Sequence, residues 1–148
     1  MTKPKPPRAE DGAYVGDLTP VEAWTMLKGD GAGLVDVRTD AEFSYVGRPD
    51  LSSFGGEPVM LSWQVFPAMA VNPEFADRLA DLFADRATPL LFLCRSGVRS
   101  RYAAAAAQNA GFTRTYNILE GFEGDKDGAG HRGTVGGWKI AGLPWSQG

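Results

Sequence analysis

The chain has one cysteine and one histidine among its 148 residues, and these two scarcities exclude a good deal. One thiol cannot close an intrachain disulfide, and it lacks the companions of a cysteine-based zinc site, so no metal is expected. A lone thiol fits a reducing compartment, and a cytoplasmic setting is the expectation. Long apolar runs are missing too: nothing approaches the roughly 18 residues of a membrane span. The amino terminus is rich in proline and charge without an apolar stretch, unlike a secretory signal. The net charge is only −3, too small for wholesale disorder. An acidic balance also gives no general attraction to nucleic acid or to an anionic membrane.

What is present is enough for a core. Hydrophobic residues make up 43% of the chain and aromatic residues 11%, and the length suits one domain. Residues 1–12 are expected to form a flexible arm, and residues 13–148 a single domain whose glycine-rich tail, from about residue 124, packs back on it.

Within that domain, Thr19, Pro20 and Glu22 have the pattern of a capping box with proline at the first helical position, and the helix they open should end near Gly29. Gly33 to Val37 is an apolar run around Asp36, which suits a buried parallel strand with an acid at its carboxyl end. A short helix is expected from Asp40 to Val46, then a loop through Gly56 and a brief strand at Val59 to Leu61. Asn72 and Pro73 should start a helix whose apolar stripe is Phe75, Leu79, Leu82 and Phe83. Leu90 to Leu93 is the strongest buried-strand signal, and it runs directly into Cys94. Five consecutive alanines make Arg101 to Ala110 a favourable helix with Gly111 as its terminator. A further strand is expected at Tyr116 to Leu119. Trp138 and Trp145 should plug the core, and His131 is expected to be a solvated loop residue. Strands alternating with helices imply a mainly parallel sheet covered on both faces.

The chemistry is expected in the turn between the Leu90 strand and the alanine helix. Such a turn points backbone N–H groups into one concavity, and the helix dipole adds positive potential. From Ala87 to Leu119 there is no acid, while Arg95, Arg99, Arg101 and Arg114 give the stretch a charge of +4. Thiolates are favoured in such surroundings, so Cys94 has the setting of a nucleophile that needs no histidine base. Gly97 suits a tight loop, and Ser100 suits a cap or a support for it.

Three segments resemble the single-domain rhodaneses: Leu91 to Ser100 with its Cys94-Arg95-Ser96-Gly97-Val98-Arg99 core, Val35 to Phe43, and Asn117 to Phe122 preceded by Gly111-Phe112. They span about residues 17–124. The resemblance implies a rhodanese-like three-layer α/β fold, with a mainly parallel central sheet flanked by helices on both faces. It implies a sulfurtransferase that moves sulfane sulfur through a Cys94 persulfide, with no metal or organic cofactor. Residues Arg95, Ser96, Gly97, Val98 and Arg99 would surround the donor, and Asp36, Arg38 and Ser100 would support the site. The implied partners are a small anionic sulfur donor and a thiol or cyanide acceptor, with a protein donor or acceptor as a further class. One departure is the stretch Val46-Gly47-Arg48-Pro49-Asp50-Leu51, which replaces the family's Gly-His-Ile-Pro-Gly-Ala and extends the loop through Gly56.

Two other classes compete. Cysteine phosphatases and arsenate reductases of related fold place five residues between cysteine and arginine, whereas four separate Cys94 from Arg99. A non-catalytic sulfur carrier or docking domain would keep the same loop without turnover.

Overall fold

The computed structural model describes residues 14–39, 42, 46–65, 70–95, 97, 99–124, 128–131 and 136–146. The expected arm at 1–12 and most of the expected helix at 40–46 lie outside these residues. The described elements are β1 (Gly16–Leu18), α1 (Pro20–Gly29), β2 (Gly33–Asp36), β3 (Arg48–Pro49), a 3-10 turn (Ser52–Phe54) and β4 (Val59–Met60). They continue with β5 (Gln64–Val65), β6 (Ala70–Val71), α2 (Phe75–Leu82), β7 (Leu90–Leu93), α3 (Arg99–Asn109), β8 (Thr115–Ile118) and β9 (Trp145–Ser146).

Five strands form one sheet in the order β1-β8-β7-β2-β4, every pair parallel. β2 and β7 are buried along nearly their whole length, which is why they read as unbroken apolar runs: a central parallel strand meets helices on both faces. Alternate residues separate the two layers. Val35, Leu90, Phe92 and Cys94 face Phe75 and Leu79 of α2 and the alanines of α3. Leu34, Leu91, Leu93 and Ile118 face Ala23 and Leu27 of α1, Phe122 and Trp138. The expected α/β architecture with two covered faces is the one found.

Local chemistry sets the helices. At α1, Thr19 Oγ1 accepts from the Glu22 N–H at 3.1 Å and Glu22 Oε1 accepts from the Thr19 N–H at 2.8 Å, a reciprocal cap worth about 1 kcal/mol. In α3, Ala103, Ala104, Ala105 and Ala107 are all buried, and their small side chains let the helix lie close over β7 and β8. This helix begins at Arg99, two residues earlier than expected, so Arg99 and Ser100 belong to its first turn rather than to the loop before it. Ser100 is therefore inside the helix and does not cap it.

Two expectations about packing fail. The stripe on α2 holds for Phe75 and Leu79, but Leu82 is 46% exposed. The helix ends there, and Phe83 is already extended at φ −129°, so its ring leaves the helical face and packs over Gly33, where a Cβ would come within 2.7 Å of it. Trp138 is fully buried, with Nε1 donating to Pro144 O at 2.7 Å. Trp145 is 39% exposed because it lies on the two-residue strand β9, which pairs with β3 outside the main sheet.

The chain leaves β2 toward β4 on one side and later extends from β7 to β8 on the other. The carboxyl ends of β2 and β7 are thus the place where strand order reverses, which is where open parallel sheets build their sites. Asp36 ends one of these strands and Cys94 follows the other.

Candidate active site

Cys94 leaves β7 with its side chain on the α3 face, and the residue is 1% exposed. Its Sγ accepts from the Gly97 N–H at 3.1 Å and lies 3.3 Å from Ser100 Oγ. Gly97 needs its lack of side chain: φ is +95°, and a Cβ would sit 3.0 Å from the Glu120 backbone nitrogen. Ser96 and Val98, the other expected loop residues, lie outside the described residues.

The back of the loop is held by main chain. Phe122 N–H donates to Cys94 O at 2.8 Å, and Glu123 N–H to Arg95 O at 2.9 Å. This contact is so close that only glycine fits at position 121, where φ is +62° and a Cβ would lie 2.4 Å from Cys94 O and 2.7 Å from Arg95 O. The tail then braces that brace: Trp138 N–H donates to Gly121 O at 2.8 Å, and Gly137 N–H donates to Glu120 Oε1 at 2.8 Å.

The acid-free stretch around Cys94 meets its acids in space. Arg99 makes a two-pronged contact with Glu42, both N···O distances being 2.9 Å. Burial alone would push Glu42 up, but the Arg99 guanidinium and the N–H and hydroxyl of Thr39 together hold it below the usual glutamate range. Arg99 is shifted the other way: burial opposes its charge, yet Glu42 outweighs burial and holds it above the ordinary value. Arg95 lies 3.2 Å from Glu123. Two of the four charges counted along the sequence, those of Arg95 and Arg99, therefore face carboxylates that lie outside the 87–119 stretch.

Asp36 and Arg38 form a fully buried ion pair at the end of β2. Asp36 accepts from Arg38 N at 3.1 Å, Nε at 2.9 Å and Nη2 at 2.6 Å. Arg38 also donates to Gly47 O at 2.7 Å, and its guanidinium lies 4.4 Å from the centre of the Phe122 ring. Burial pushes the Asp36 carboxyl up, with the Arg38 hydrogen bonds pulling against it. The pair links β2 to the 46–49 segment and, through Phe122, to the brace behind Cys94.

A second polar chain runs the other way. Ser100 Oγ is hydrogen-bonded to Asn117 Oδ1, Asn117 Nδ2 donates to Asp17 Oδ1 at 3.1 Å, and the Tyr14 hydroxyl donates to the same oxygen at 2.5 Å. Burial first, then Asp17, holds the Tyr14 phenol well above its ordinary range.

The residues that sequence reasoning assigned no role are Glu42, Glu123, Asn117 and Asp17. Glu42 and Asn117 stand inside the segments that carried the family resemblance, but nothing in their spacing announces a contact with Arg99 or Ser100. An open cavity of about 440 Å³ lies along the 48–58 loop, with Arg48, Asp50, Ser52 and Glu57 in its wall. Cys94 does not line it. No group of three or more potential metal ligands occurs among the described residues.

The site as a whole is that of an α/β protein with a cysteine at a strand-to-helix turn, set at the reversal point of a parallel sheet. The rhodanese-like domain profile matches residues 19–127, and the chain belongs to the rhodanese family. A protein of Rickettsia conorii described as uncharacterized is 38% identical over 133 residues, covering 88% of this chain and 97% of its own. The thiosulfate sulfurtransferase GlpE of Actinobacillus pleuropneumoniae is 26% identical, over 86% of this chain and 90% of its own. Among solved structures, Rv0390 from M. tuberculosis superposes with a TM-score of 0.84 at 50% identity, covering 92% of this chain and all of that one.

Proposed function

We propose that this protein is a sulfurtransferase that carries sulfane sulfur as a persulfide on Cys94. The observation that carries the proposal is the seat of the only cysteine, at the end of β7 with the Gly97 N–H and the Ser100 hydroxyl against its sulfur. Family membership and the likeness to a thiosulfate sulfurtransferase support it.

The chemistry balances without a cofactor. The Cys94 thiolate attacks the outer sulfur of thiosulfate, an S–S bond forms as the donor's S–S bond breaks, and sulfite leaves with the electron pair. The persulfide anion then gives its outer sulfur to cyanide or to a thiolate, and the Cys94 thiolate is restored. Each step is a displacement at sulfur, so no general acid is required. Arg95, next to Cys94 in the chain, and Arg99, in the first turn of α3, are the cations offered to an anionic donor, and each already faces a carboxylate. Donor binding therefore competes with Glu123 and Glu42. The four residues between Cys94 and Arg99, against the five of cysteine phosphatases, weigh against phosphatase chemistry. A cytoplasmic setting, which keeps a lone thiol reduced, belongs to the same proposal.

The test is thiocyanate formation from thiosulfate and cyanide. Wild type should turn over and Cys94→Ser should not, while Arg99→Ala should raise KM for thiosulfate more than it lowers kcat. Loading without turnover would mean a carrier rather than an enzyme, and turnover retained by Cys94→Ser would overturn the mechanism.

A further inference from the structure

The chain of contacts from Cys94 to Asp17 admits only one arrangement of hydrogens. Asp17 and Asn117 are direct partners in the β1–β8 register, as are Phe92 and Asn117 in the β7–β8 register. All three side chains therefore lie on the face of the sheet that also carries Cys94, with α3 above it. The Asp17 carboxylate can only accept, so the Asn117 amide must turn its NH2 to Asp17 and its carbonyl oxygen to Ser100. That oxygen can only accept, so the one hydrogen of the Ser100 hydroxyl goes to Asn117. What Ser100 then offers the sulfur 3.3 Å away is a lone pair, which suits a neutral S–H and not an anion.

We infer that Asn117, its amide oriented by Asp17, is a positioning residue that directs the Ser100 hydroxyl hydrogen away from Cys94 and so restrains ionisation of the sulfur. For the thiolate to gain a second hydrogen bond beside that of Gly97, the Ser100 hydrogen has to leave Asn117, stranding a buried amide oxygen. In the persulfide, by contrast, Sγ is a bridging atom and the negative charge lies one sulfur farther out. The network therefore disfavours the empty thiolate relative to both the resting thiol and the loaded carrier. A protein that holds sulfur until an acceptor arrives would be served by that bias.

The other charged groups around the sulfur are Arg99 with Glu42 on one side, the Asp36–Arg38 pair at the end of β2, and Arg95 with Glu123 beyond the loop. Tyr14 stands at the outer end on Asp17, with the Arg101 charge acting on its phenol. None of these is changed by the substitutions below. The role given to Asn117 in sulfur holding rests on the proposed function, but its test needs no sulfur transfer.

Thiolate absorbance in the ultraviolet, followed against pH in the full chain with Cys94→Ser as the blank, reports this one sulfur. Asn117→Leu should give roughly three- to tenfold more thiolate at a pH below the wild-type midpoint, the worth of one hydrogen bond set free for the anion. In the Ser100→Ala background the same substitution should change nothing. Asp17→Ala is exposed and keeps the test open if Asn117→Leu does not fold. It should also raise the thiolate fraction, and the part due to the relay should vanish in Ser100→Ala, whereas the part due to lost negative charge persists. An effect of full size without Ser100, no effect, or less thiolate in either variant overturns the inference. Failure of sulfur transfer with these shifts intact would instead count against the proposed function alone.

Discussion

Gly121→Ala and Gly142→Ala form a matched pair that tests how the loop around Cys94 is held. Both glycines have positive φ, +62° and +77°, so each alanine incurs the cost of a left-handed residue, about 1 kcal/mol once the lower entropy of the unfolded chain is allowed for. They differ in surroundings. Among the described residues nothing lies within 4 Å of a Cβ at position 142, whereas one at position 121 would meet Cys94 O at 2.4 Å and the Arg95 carbonyl carbon at 2.6 Å. These are backbone atoms and cannot swing aside. Relief requires the 121–124 segment to move off the loop, which strains or breaks the bonds from Phe122 N–H to Cys94 O and from Glu123 N–H to Arg95 O. Overpacking of about 1–3 kcal/mol and about 1 kcal/mol for each of the two lost bonds bring the expected loss for Gly121→Ala to roughly 3–5 kcal/mol beyond that of Gly142→Ala. For a chain of this length that is a fall in Tm of roughly 10 °C. Thermal unfolding and thiocyanate formation, measured on both variants, should show Gly142→Ala active and mildly destabilised. Gly121→Ala should be strongly destabilised and, below its Tm, slow in sulfur transfer because Cys94 has shifted. Equal behaviour of the two variants in both assays would refute the account of the brace.

Two further substitutions probe the ion pairs. Arg38→Leu leaves the Asp36 carboxyl fully buried without its partner, and urea unfolding should show a loss of roughly 3–5 kcal/mol; a loss below about 1 would mean that the pair contributes little. Glu42 is held below its ordinary value of 4.5, so its folded form prefers the charged state. Its contribution is present above that value and is lost as pH falls through the lower folded one. The stability gap between wild type and Glu42→Gln should accordingly be largest near neutral pH and shrink in acid, and a gap that does not change with pH would contradict the role given to Arg99.

The parts of the fold that were legible in the sequence are those decided locally or by burial on both faces. β2 and β7 announce themselves as apolar runs, α1 by its capping box, α3 by its alanines, and Cys94 by its place between a strand and a helix. The parts that were not legible depend on partners far along the chain. β1 is three residues long and exists because it pairs with β8, one hundred positions away at Asp17 and Asn117. The positive field inferred around Cys94 counted charges along the chain, and folding sets Glu42 against Arg99 across 57 positions. Trp145 is expected inside because it sits among other apolar residues, but its strand lies outside the main sheet and leaves the residue 39% exposed. The Asn117 link to Ser100 depends on the register of three strands, and only the folded sheet supplies it.

The central claim is that Cys94 takes up sulfane sulfur. Intact-mass measurement of the full chain after exposure to thiosulfate tests it directly: the account predicts one added sulfur atom, located on Cys94, removed by cyanide and absent from Cys94→Ser. An unchanged mass under conditions where iodoacetamide does alkylate Cys94 would contradict it.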